Sequence, residues 1–429
     1  MSSTAMPRRG AVVAALLGAA GFRQAAAMSG LEFLSKDQQG DCHPSAVNMA
    51  GPFGAAYPSE GCAMANMAAP PPWCDKSVVD GERHIEVEEP HLGGKTERKY
   101  ILKFPRSTTC NGGIHGVSAR PAPLMLFFHG QYGNARSSSR GPWTAPTRHT
   151  CAEANGYVAV YPQGINDHLE TGEDDNGLPT HNRRSDLGTG WNIGTAGDER
   201  TCWTELDGDE RPPTSYSCYK SCVQLGRCGR CNWSTCHDDV AFTKALLKAL
   251  TEEYCIDMTR VYIAGQSNGG MLIHHLYQEL PRAFAAVSPL YGLPLRRHAI
   301  RWPAGPAGDA TQLRETAFLQ FHGRRDRLIP IEGGMSPIAT QSWYYEPLSA
   351  VLGAWARVHG CNLSSPVPVQ LPFVYHETFA CQEYPGCRRG RRVAWCTYDG
   401  AHAPPARGGP YGVFWFLNQF RRESPASWD

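Results

Sequence analysis

The sequence predicts an α/β fold, in which helices cover both faces of a mostly parallel central sheet and disulfide-rich inserts interrupt the framework. Short apolar runs that are typical of buried parallel strands alternate with helical patterns along residues 123–321. A glycine-rich turn joins one of these strands to the helix that follows it, within residues 260–277. Ligand sites in such sheets form beyond the carboxyl ends of the strands, so the polar residues at those ends are the candidates for function.

Length and charge limit the classes of function. The chain has 429 residues, 41% of them hydrophobic, and a formal net charge of +1. This length suits one large α/β domain of about 300 residues with an appendage, or two domains. The near-neutral charge gives no electrostatic basis for binding nucleic acid or an anionic membrane, so we expect neither as a partner.

The N-terminus has the pattern of a secretory signal peptide over residues 1–27. Arg8 and Arg9 precede an apolar run over residues 11–22, and three alanines at 25–27 offer a cleavage site. The run is shorter than the roughly 20 residues that span a bilayer, although an N-terminal anchor or a transit peptide is the alternative. We therefore expect a secreted, extracellular protein with no membrane segment in its mature form.

Two further segments follow the signal peptide. Residues 28–80 form a Cys-, Pro- and Gly-rich extension without clear periodicity, and residues 81–429 form the catalytic domain. Asn232 and Asn362 begin sequons that could be glycosylated in a eukaryote.

Sixteen cysteines fit an oxidising compartment and allow up to eight disulfides. Five of them lie in residues 218–236, and His237 follows. A cytosolic protein with this pattern, which includes Cys228 and Cys231 in a C-x-x-C spacing, would be a zinc candidate. Behind a signal peptide the pattern favours disulfides, and we expect no metal.

Buried strands and amphipathic helices can be placed in chain order. Residues 83–88 and 98–104 predict an antiparallel pair at the sheet edge, joined by a glycine-containing loop. Further strands are expected over residues 123–128, 156–161, 261–264, 285–288, 317–321 and 393–398. Helices are expected from an N-cap at Asp238 to about residue 254, from residue 271 onward, and over residues 412–421.

The turn at residues 265–269 reads G-x-S-x-G between a strand and a helix. In this context the pattern predicts a nucleophile elbow, with Ser267 raised above the sheet on a strained turn. The glycines on either side allow the strand and the helix to pass close to each other, and the helix N-terminus offers free backbone N–H groups. An ordinary Gly-rich turn is the alternative.

A serine hydroxyl needs a base, and the base needs a third group that orients it. Asp326 follows the strand over residues 317–321, and His402 follows the last strand. The order Ser, acid, His is that of the α/β-hydrolase fold. Asp309 and Glu332 are less well placed as the acid, and we expect His322 to shape the Asp326 loop.

The oxyanion hole is expected to use the backbone N–H of Asn268 and that of Gln131, in residues 129–134 (HGQYGN). Trp191, in a Gly-Trp-Asn sequence, is a candidate wall for a ring-bearing or sugar substrate, as are Trp203 and Trp233. For any one of these tryptophans, however, the sequence favours a buried structural role.

Several of these motifs together resemble the secreted feruloyl esterase and polyhydroxybutyrate depolymerase group of α/β-hydrolases, which is related to carbohydrate esterase family one. The motifs are HGQYGN, GWN at residues 190–192, DDVAFTKAL at 238–246, RVYIAGQSNGGM at 260–271, AFLQFHGRRD at 317–326 and DGAHAPP at 399–405. The resemblance covers residues 80–421. It implies Ser267 as nucleophile, Asp326 as acid and His402 as base, and a disulfide from Cys361 to Cys381 or Cys387.

The resemblance predicts a secreted serine esterase that needs no cofactor and cleaves hydroxycinnamoyl esters of plant-type polysaccharide. A polyester depolymerase and a serine peptidase of the same fold are alternatives. A catalytically dead hydrolase scaffold that binds carbohydrate is the alternative outside enzymes. The sequence does not predict an oligomeric state.

Overall fold

A ten-stranded sheet organises the part of the chain that the computed structural model describes. That part comprises residues 80–104, 121–140, 156–166, 189–194, 219–226, 234–296, 315–335, 344–371, 379–404 and 409–428. The predicted signal peptide and nearly all of the 28–80 extension lie outside the described residues. So do Trp203, Trp233, Asn232, Asp309 and three of the clustered cysteines, Cys218, Cys228 and Cys231.

The described strands and helices are numbered here in chain order. The strands are β1 (Gly81–Glu89), β2 (Gly94–Lys103), β3 (Ala122–Phe128), β4 (Val158–Pro162), β5 (Ile165–Asn166), β6 (Thr189–Gly190), β7 (Ile256–Gln266), β8 (Ala286–Leu290), β9 (Ala317–Gly323), β10 (Gly334–Met335), β11 (Tyr344–Tyr345), β12 (Val367–Pro368), β13 (Phe379–Tyr384) and β14 (Val393–Tyr398). The helices are α1 (Ala135–Ser138), α2 (Lys220–Gln224), α3 (Asp239–Glu253), α4 (Asn268–Glu279), α5 (Leu348–His359) and α6 (Gly409–Asn418). Two short 3₁₀ turns lie at Pro90–Leu92 and Arg388–Gly390.

The large sheet has the order β1-β2-β4-β3-β7-β8-β9-β14-β13-β12. Its central strands, from β4 to β14, run parallel to their neighbours. The outer pairs are antiparallel on both sides. The predicted mostly parallel sheet, with an antiparallel hairpin of β1 and β2 at one edge, is therefore confirmed.

Alternation along β3 shows how the sheet separates two cores. Leu124 and Leu126 belong to a core that also contains residues of α3, α4 and α5. Met125 and Phe127 belong to a second core with residues of α1 and α6. Because successive side chains of a strand point to opposite faces, helices must cover both faces, as the uninterrupted apolar runs predicted.

Helix α3 begins as the sequence predicted. The side chain of Asp238 accepts a hydrogen bond from the N–H of Ala241 at 2.8 Å, and Tyr254 ends the helix. Such a cap satisfies one of the N–H groups that the first helical turn leaves unpaired. The buried Arg98 of β2 forms a 2.6 Å ion pair with Asp239, which joins the edge hairpin to this helix.

Helix α5 was not among the predicted elements, although its sequence carries the signal. Leu348, Val351, Leu352 and Trp355 are buried at helical spacing, and Gly360 ends the helix in the left-handed region with φ 62°. The edge strands β12 and β13 were also not predicted.

Three disulfides lie within the described residues. They join Cys222 to Cys236, Cys361 to Cys387, and Cys381 to Cys396. Of the two partners that the resemblance implied for Cys361, the structure has Cys387. Cys381 pairs instead across neighbouring strands, where it lies opposite Cys396 in the register of β13 and β14.

The six parallel strands, the antiparallel flanks and the serine turn between β7 and α4 define the α/β-hydrolase fold. None of the described helices combines the length and the apolar character that crossing a bilayer requires.

Candidate active site

Ser267 lies on a strained turn between β7 and α4. Its backbone has φ 53° and ψ −122°, outside the regions that non-glycine residues usually occupy. Two hydrogen bonds of 2.9 Å fix the turn, from Ser267 N–H to Leu290 O and from Met271 N–H to Ser267 O. Strain of this kind persists only where the surroundings enforce it, and it is the geometry expected of a nucleophile elbow.

Close packing explains why position 269 of the elbow is a glycine. A Cβ placed on Gly269 would lie 2.4 Å from the carbonyl oxygens of Phe128 and His129, at the end of β3. Any side chain there would push α4 away from the neighbouring strand. The glycine at this position therefore brings the elbow next to the loop that follows β3.

Three predicted residues meet above the carboxyl ends of the parallel strands. His402 Nε2 lies 2.8 Å from Ser267 Oγ, and His402 Nδ1 lies 2.8 Å from Asp326 Oδ2. The carboxylate can only accept, so the Nδ1–H donates to it and Nε2 is left to accept the serine hydroxyl proton. The structure thus brings all three side chains into one hydrogen-bonded chain.

The Asp326 loop holds its carboxylate firmly. Oδ1 accepts hydrogen bonds from the N–H groups of Leu328 and Ile329, each at 2.9 Å. His322 donates from Nε2 to Ile329 O at 2.9 Å and lies 3.5 Å from Asp326 Oδ2. The prediction that His322 shapes this loop is confirmed. Burial lowers the pKa of His322 to about 4, although the charge of Asp326 opposes the shift.

The loop that carries His402 is fixed from two sides. Tyr291 presents an edge-to-face contact to the imidazole, with ring centroids 5.0 Å apart, and donates its hydroxyl hydrogen bond to Gln266 at 2.8 Å. Arg325 N–H donates to Gly400 O at 2.9 Å, so the Asp326 and His402 loops are hydrogen-bonded to each other. Tyr291 is a site neighbour that sequence reasoning missed.

The loop after β3 approaches the serine closely. A Cβ on Gly130 would lie 3.1 Å from Ser267 Cβ. Gly133 N–H donates to Gly130 O at 3.0 Å, which closes a turn through Gln131 and Tyr132. Tyr132 has φ 61° and is 53% exposed, so the turn places an aromatic residue at the surface.

The backbone N–H groups of Gln131 and Asn268 are the expected oxyanion donors. Within the described residues, neither the N–H of Gln131 nor that of Asn268 donates a hydrogen bond. Asn268 begins α4, where unpaired N–H groups are expected. The Gln131 side chain donates to the Tyr219 hydroxyl at 2.7 Å, which the sequence did not indicate.

His129 holds the loop after β3 in shape. Its Nδ1–H donates to Gly130 O at 2.7 Å, and its Nε2 accepts from Gly164 N–H at 3.0 Å. This pattern needs a neutral ring, and burial lowers the pKa of His129 to about 4.

Trp191 does not line an open surface. It is fully buried, and its indole N–H donates to His129 O at 2.8 Å. The expectation that Trp191 forms a wall for substrate therefore finds no support, and the structure gives its ring a packing position beneath the site.

Among the described residues, no group of three or more His, Cys, Asp or Glu side chains is arranged to hold a metal ion. Cys222 and Cys236, two members of the possible zinc motif, are joined in a disulfide.

No protein-family model matches this chain. Feruloyl esterase B of Piromyces equi is 24% identical over 309 residues, which cover 71% of this chain and 42% of that protein. Feruloyl esterase C of Emericella nidulans is 24% identical over 176 residues, or 41% of this chain and 53% of that protein. The chain thus spans about half or less of these relatives.

Among solved structures, acetyl xylan esterase from Aspergillus awamori matches with a TM-score of 0.44 and 12% identity. The match covers 79% of this chain and 99% of that one.

Proposed function

We propose that this protein is a secreted serine esterase that hydrolyses carboxylic esters through an acyl-enzyme. One observation carries the proposal: the two hydrogen bonds of 2.8 Å that connect Asp326, His402 and Ser267. A nucleophile, a base and a group that orients the base are the parts that acyl transfer to serine requires.

In the first step, Ser267 Oγ attacks the ester carbon while His402 Nε2 removes the hydroxyl proton. The imidazole becomes a cation, and Asp326 stabilises it through Nδ1–H. The carbonyl electron pair moves to oxygen. The N–H groups of Gln131 and Asn268, which are free of acceptors in the described part, would donate to that oxyanion.

The tetrahedral intermediate then collapses, and the alcohol leaves with the proton from His402. A water molecule repeats the sequence on the acyl-enzyme, with His402 again as base, and releases the acid. His402 Nε2 takes up and returns the proton in both steps, so Ser267, His402 and Asp326 with one water molecule account for every proton transfer of the hydrolysis.

For the substrate, we propose hydroxycinnamoyl esters of plant-type polysaccharide. Support comes from the names of two relatives, both feruloyl esterases, at low identity. Tyr132, a half-exposed residue of the loop whose Gly130 approaches Ser267, is a candidate contact for an aromatic acyl group. The disulfides within the described residues support the proposed export.

The test has two parts. Ser267→Ala should lower the turnover of methyl ferulate by on the order of a million-fold and abolish labelling by a fluorophosphonate probe. Ser365→Ala, which changes an exposed serine outside the site, should leave both unchanged. A Ser267→Ala variant that hydrolyses the ester at the rate of the unchanged protein would refute the proposal.

Substrate class is tested separately on the unchanged protein. We expect faster turnover of methyl ferulate than of hydroxybutyrate oligomers or of a peptide amide. Preference for the oligomers would indicate a polyester depolymerase, and preference for the amide a peptidase of the same fold.

A further inference from the structure

Trp191 lies between the two segments that carry the proposed oxyanion donors. Its indole N–H donates to His129 O at 2.8 Å, two residues before Gln131. Its backbone N–H donates to the side-chain oxygen of Asn268 at 2.9 Å. One residue therefore makes a hydrogen bond to each of the two elements that must be held at the correct separation.

The indole ring is fixed as well as its polar groups. Trp191 is fully buried, with Phe128 at 5.1 Å in an edge-to-face contact and His129 at 4.8 Å between ring centroids. Both rings belong to the end of β3 and the residue that follows it. The indole can thus move only if the start of the donor loop moves with it.

The rest of segment 189–194 also contacts the donor loop. Thr189 O accepts from the Tyr132 N–H at 2.9 Å, and the Thr189 hydroxyl donates to Gly133 O. A Cβ on Gly190 would lie 3.6 Å from the Asn268 side-chain oxygen. The segment therefore follows the loop after β3 on one side and the elbow on the other.

The far side of the same segment is anchored to a rigid element. Asn192 N–H donates to the carboxylate of Asp239, and its side chain donates to His237 O at 2.7 Å. Asp239 in turn forms the buried ion pair with Arg98. Ile193 N–H donates to Ser234 Oγ at 2.9 Å. The anchor thus lies on helix α3 and the sheet edge, away from the reacting atoms.

We propose that Trp191 is a positioning residue that sets the separation of the Gln131 and Asn268 N–H groups. This inference rests on the proposed esterase function. Removing the indole hydrogen bond leaves His129 O without its buried partner, which allows the donor loop to shift. A displacement of catalytic groups by about 1 Å can lower the rate about 100-fold. Substrate binding in the ground state does not use the oxyanion donors in the same way, so the displacement should affect it little.

The experiment compares Trp191→Phe with Trp355→Phe in the full chain. Trp355 is an equally buried tryptophan whose indole N–H donates to His274 at 3.3 Å, within a cluster on α4 and α5. Both variants remove an indole hydrogen bond and keep an aromatic ring. Only the first should affect the oxyanion donors.

For p-nitrophenyl acetate, Trp191→Phe should lower kcat by about 10- to 100-fold and leave KM within about two-fold. The inhibition constant of an aryl trifluoromethyl ketone should rise by a similar factor. That ketone adds to Ser267 Oγ, its carbonyl electron pair moves to oxygen, and His402 takes the serine proton, so its affinity reports on the oxyanion donors. Trp355→Phe should change neither quantity.

A purely structural role for Trp191 predicts equal effects in both variants, or a lower Tm with an unchanged inhibition constant, and either result overturns the inference. If Trp191→Phe does not fold, Asn268→Ala removes the acceptor of the Trp191 N–H while keeping the backbone donor. It should show the same kcat loss, and an unchanged kcat would overturn the inference. Ser267→Ala separates the two proposals, because a variant that remains active refutes the esterase mechanism itself.

Discussion

The carboxylate of Asp326 decides which nitrogen of His402 carries the proton. We predict that Asp326→Asn lowers kcat by about 10⁴-fold, because an amide at this position stabilises the wrong tautomer and cannot compensate the imidazolium. Steady-state kinetics with methyl ferulate would measure the loss. The amide has nearly the same volume as the carboxylate, so the loop is expected to keep its shape.

Asp399→Asn provides the control for charge in the same region. Asp399 forms an exposed ion pair with Arg325 at 2.7 Å, and exposed pairs of this kind contribute little. We expect unchanged turnover. Equal losses in the two variants would show that general charge near the loops, and not the bond to His402, supports activity.

At the level of single residues, chain order together with position after a predicted strand selected Ser267, Asp326 and His402, the three side chains that the structure brings together. Each residue follows a predicted strand, and sites in such sheets form beyond the carboxyl ends of the strands, so this one rule located all three. The sequence left two positions open for Trp191, a substrate wall and a buried structural position, for a physical reason. A tryptophan in a loop can face solvent or core, and only the three-dimensional contact with His129 O distinguishes the two.

The loop after β3 can approach Ser267 closely because the residue at the closest point, Gly130, has no side chain. We predict that Gly130→Ala lowers kcat by up to about 100-fold, because the added Cβ would lie 3.1 Å from Ser267 Cβ and 3.4 Å from Gln266 O. The contact forces the donor loop or the serine to shift. Kinetics of p-nitrophenyl acetate hydrolysis would measure the change.

Gly94→Ala is the matched control, since a Cβ at that position meets no atom within 4 Å. Its turnover should equal that of the unchanged protein. If Gly130→Ala also retains full turnover, the close approach of the loop to Ser267 has no catalytic consequence.

Helix α3 depends on its cap. We predict that Asp238→Ala lowers the free energy of unfolding by about 1 kcal/mol, because the N–H of Ala241 loses its acceptor. Urea unfolding would measure it. Asp238→Ser keeps a capping oxygen and should recover most of the loss, whereas equal losses in both variants would contradict the capping role.

Most elements with strong local signals were predicted, helix α5 being the exception, and elements stabilised by distant contacts were not. The Asp238 cap and the apolar runs of β3 and β14 are local features. Strand β13 pairs with β14 and is joined to it by the disulfide of Cys381 and Cys396, and the two-residue β12 pairs with β13. Both strands are therefore defined by their partners.

The whole molecule should be sensitive to acid because it buries neutral histidines. Burial lowers the pKa of His129 and His322 to about 4 and that of His274 to about 3. The ordinary pKa of histidine is about 6.5. Between about pH 6.5 and 4 the unfolded chain therefore binds protons that the folded protein does not, and the free energy of unfolding falls as the pH is lowered.

Urea titrations at several pH values in this window would measure that slope. His274→Gln removes one of these groups in the core, outside the site. It should reduce the slope by up to about 1.4 kcal/mol per pH unit, the value for one proton. An unchanged slope would show that His274 does not contribute to the acid sensitivity.

The Cys361–Cys387 disulfide closes a loop of 26 residues that contains β12 and β13. We predict that replacing both cysteines by serine lowers the free energy of unfolding by about 3 to 4 kcal/mol, from the chain entropy that the cross-link removes. Comparison of urea unfolding with that of the unchanged, oxidised protein tests this. A loss of less than about 1 kcal/mol would contradict the prediction.

At the scale of the whole chain, the sequence predicted the sheet class and the covered faces from apolar runs alone. It did not determine the disulfide partners, because cysteine spacing leaves several pairings open. The choice of Cys387 over Cys381 depends on which residues lie opposite each other in β13 and β14, a property of the folded sheet.

Strand β12, one of the two outermost described strands of the sheet, ends with a proline. Val369 N–H donates inward to Cys381 O, so by alternation the nitrogen of Pro368 faces outward, where proline has no hydrogen to offer. A second polypeptide added along β12 would lack one ladder hydrogen bond at this position. The proline therefore weakens strand addition at this edge of the sheet, whereas β1, the other described edge, contains no proline.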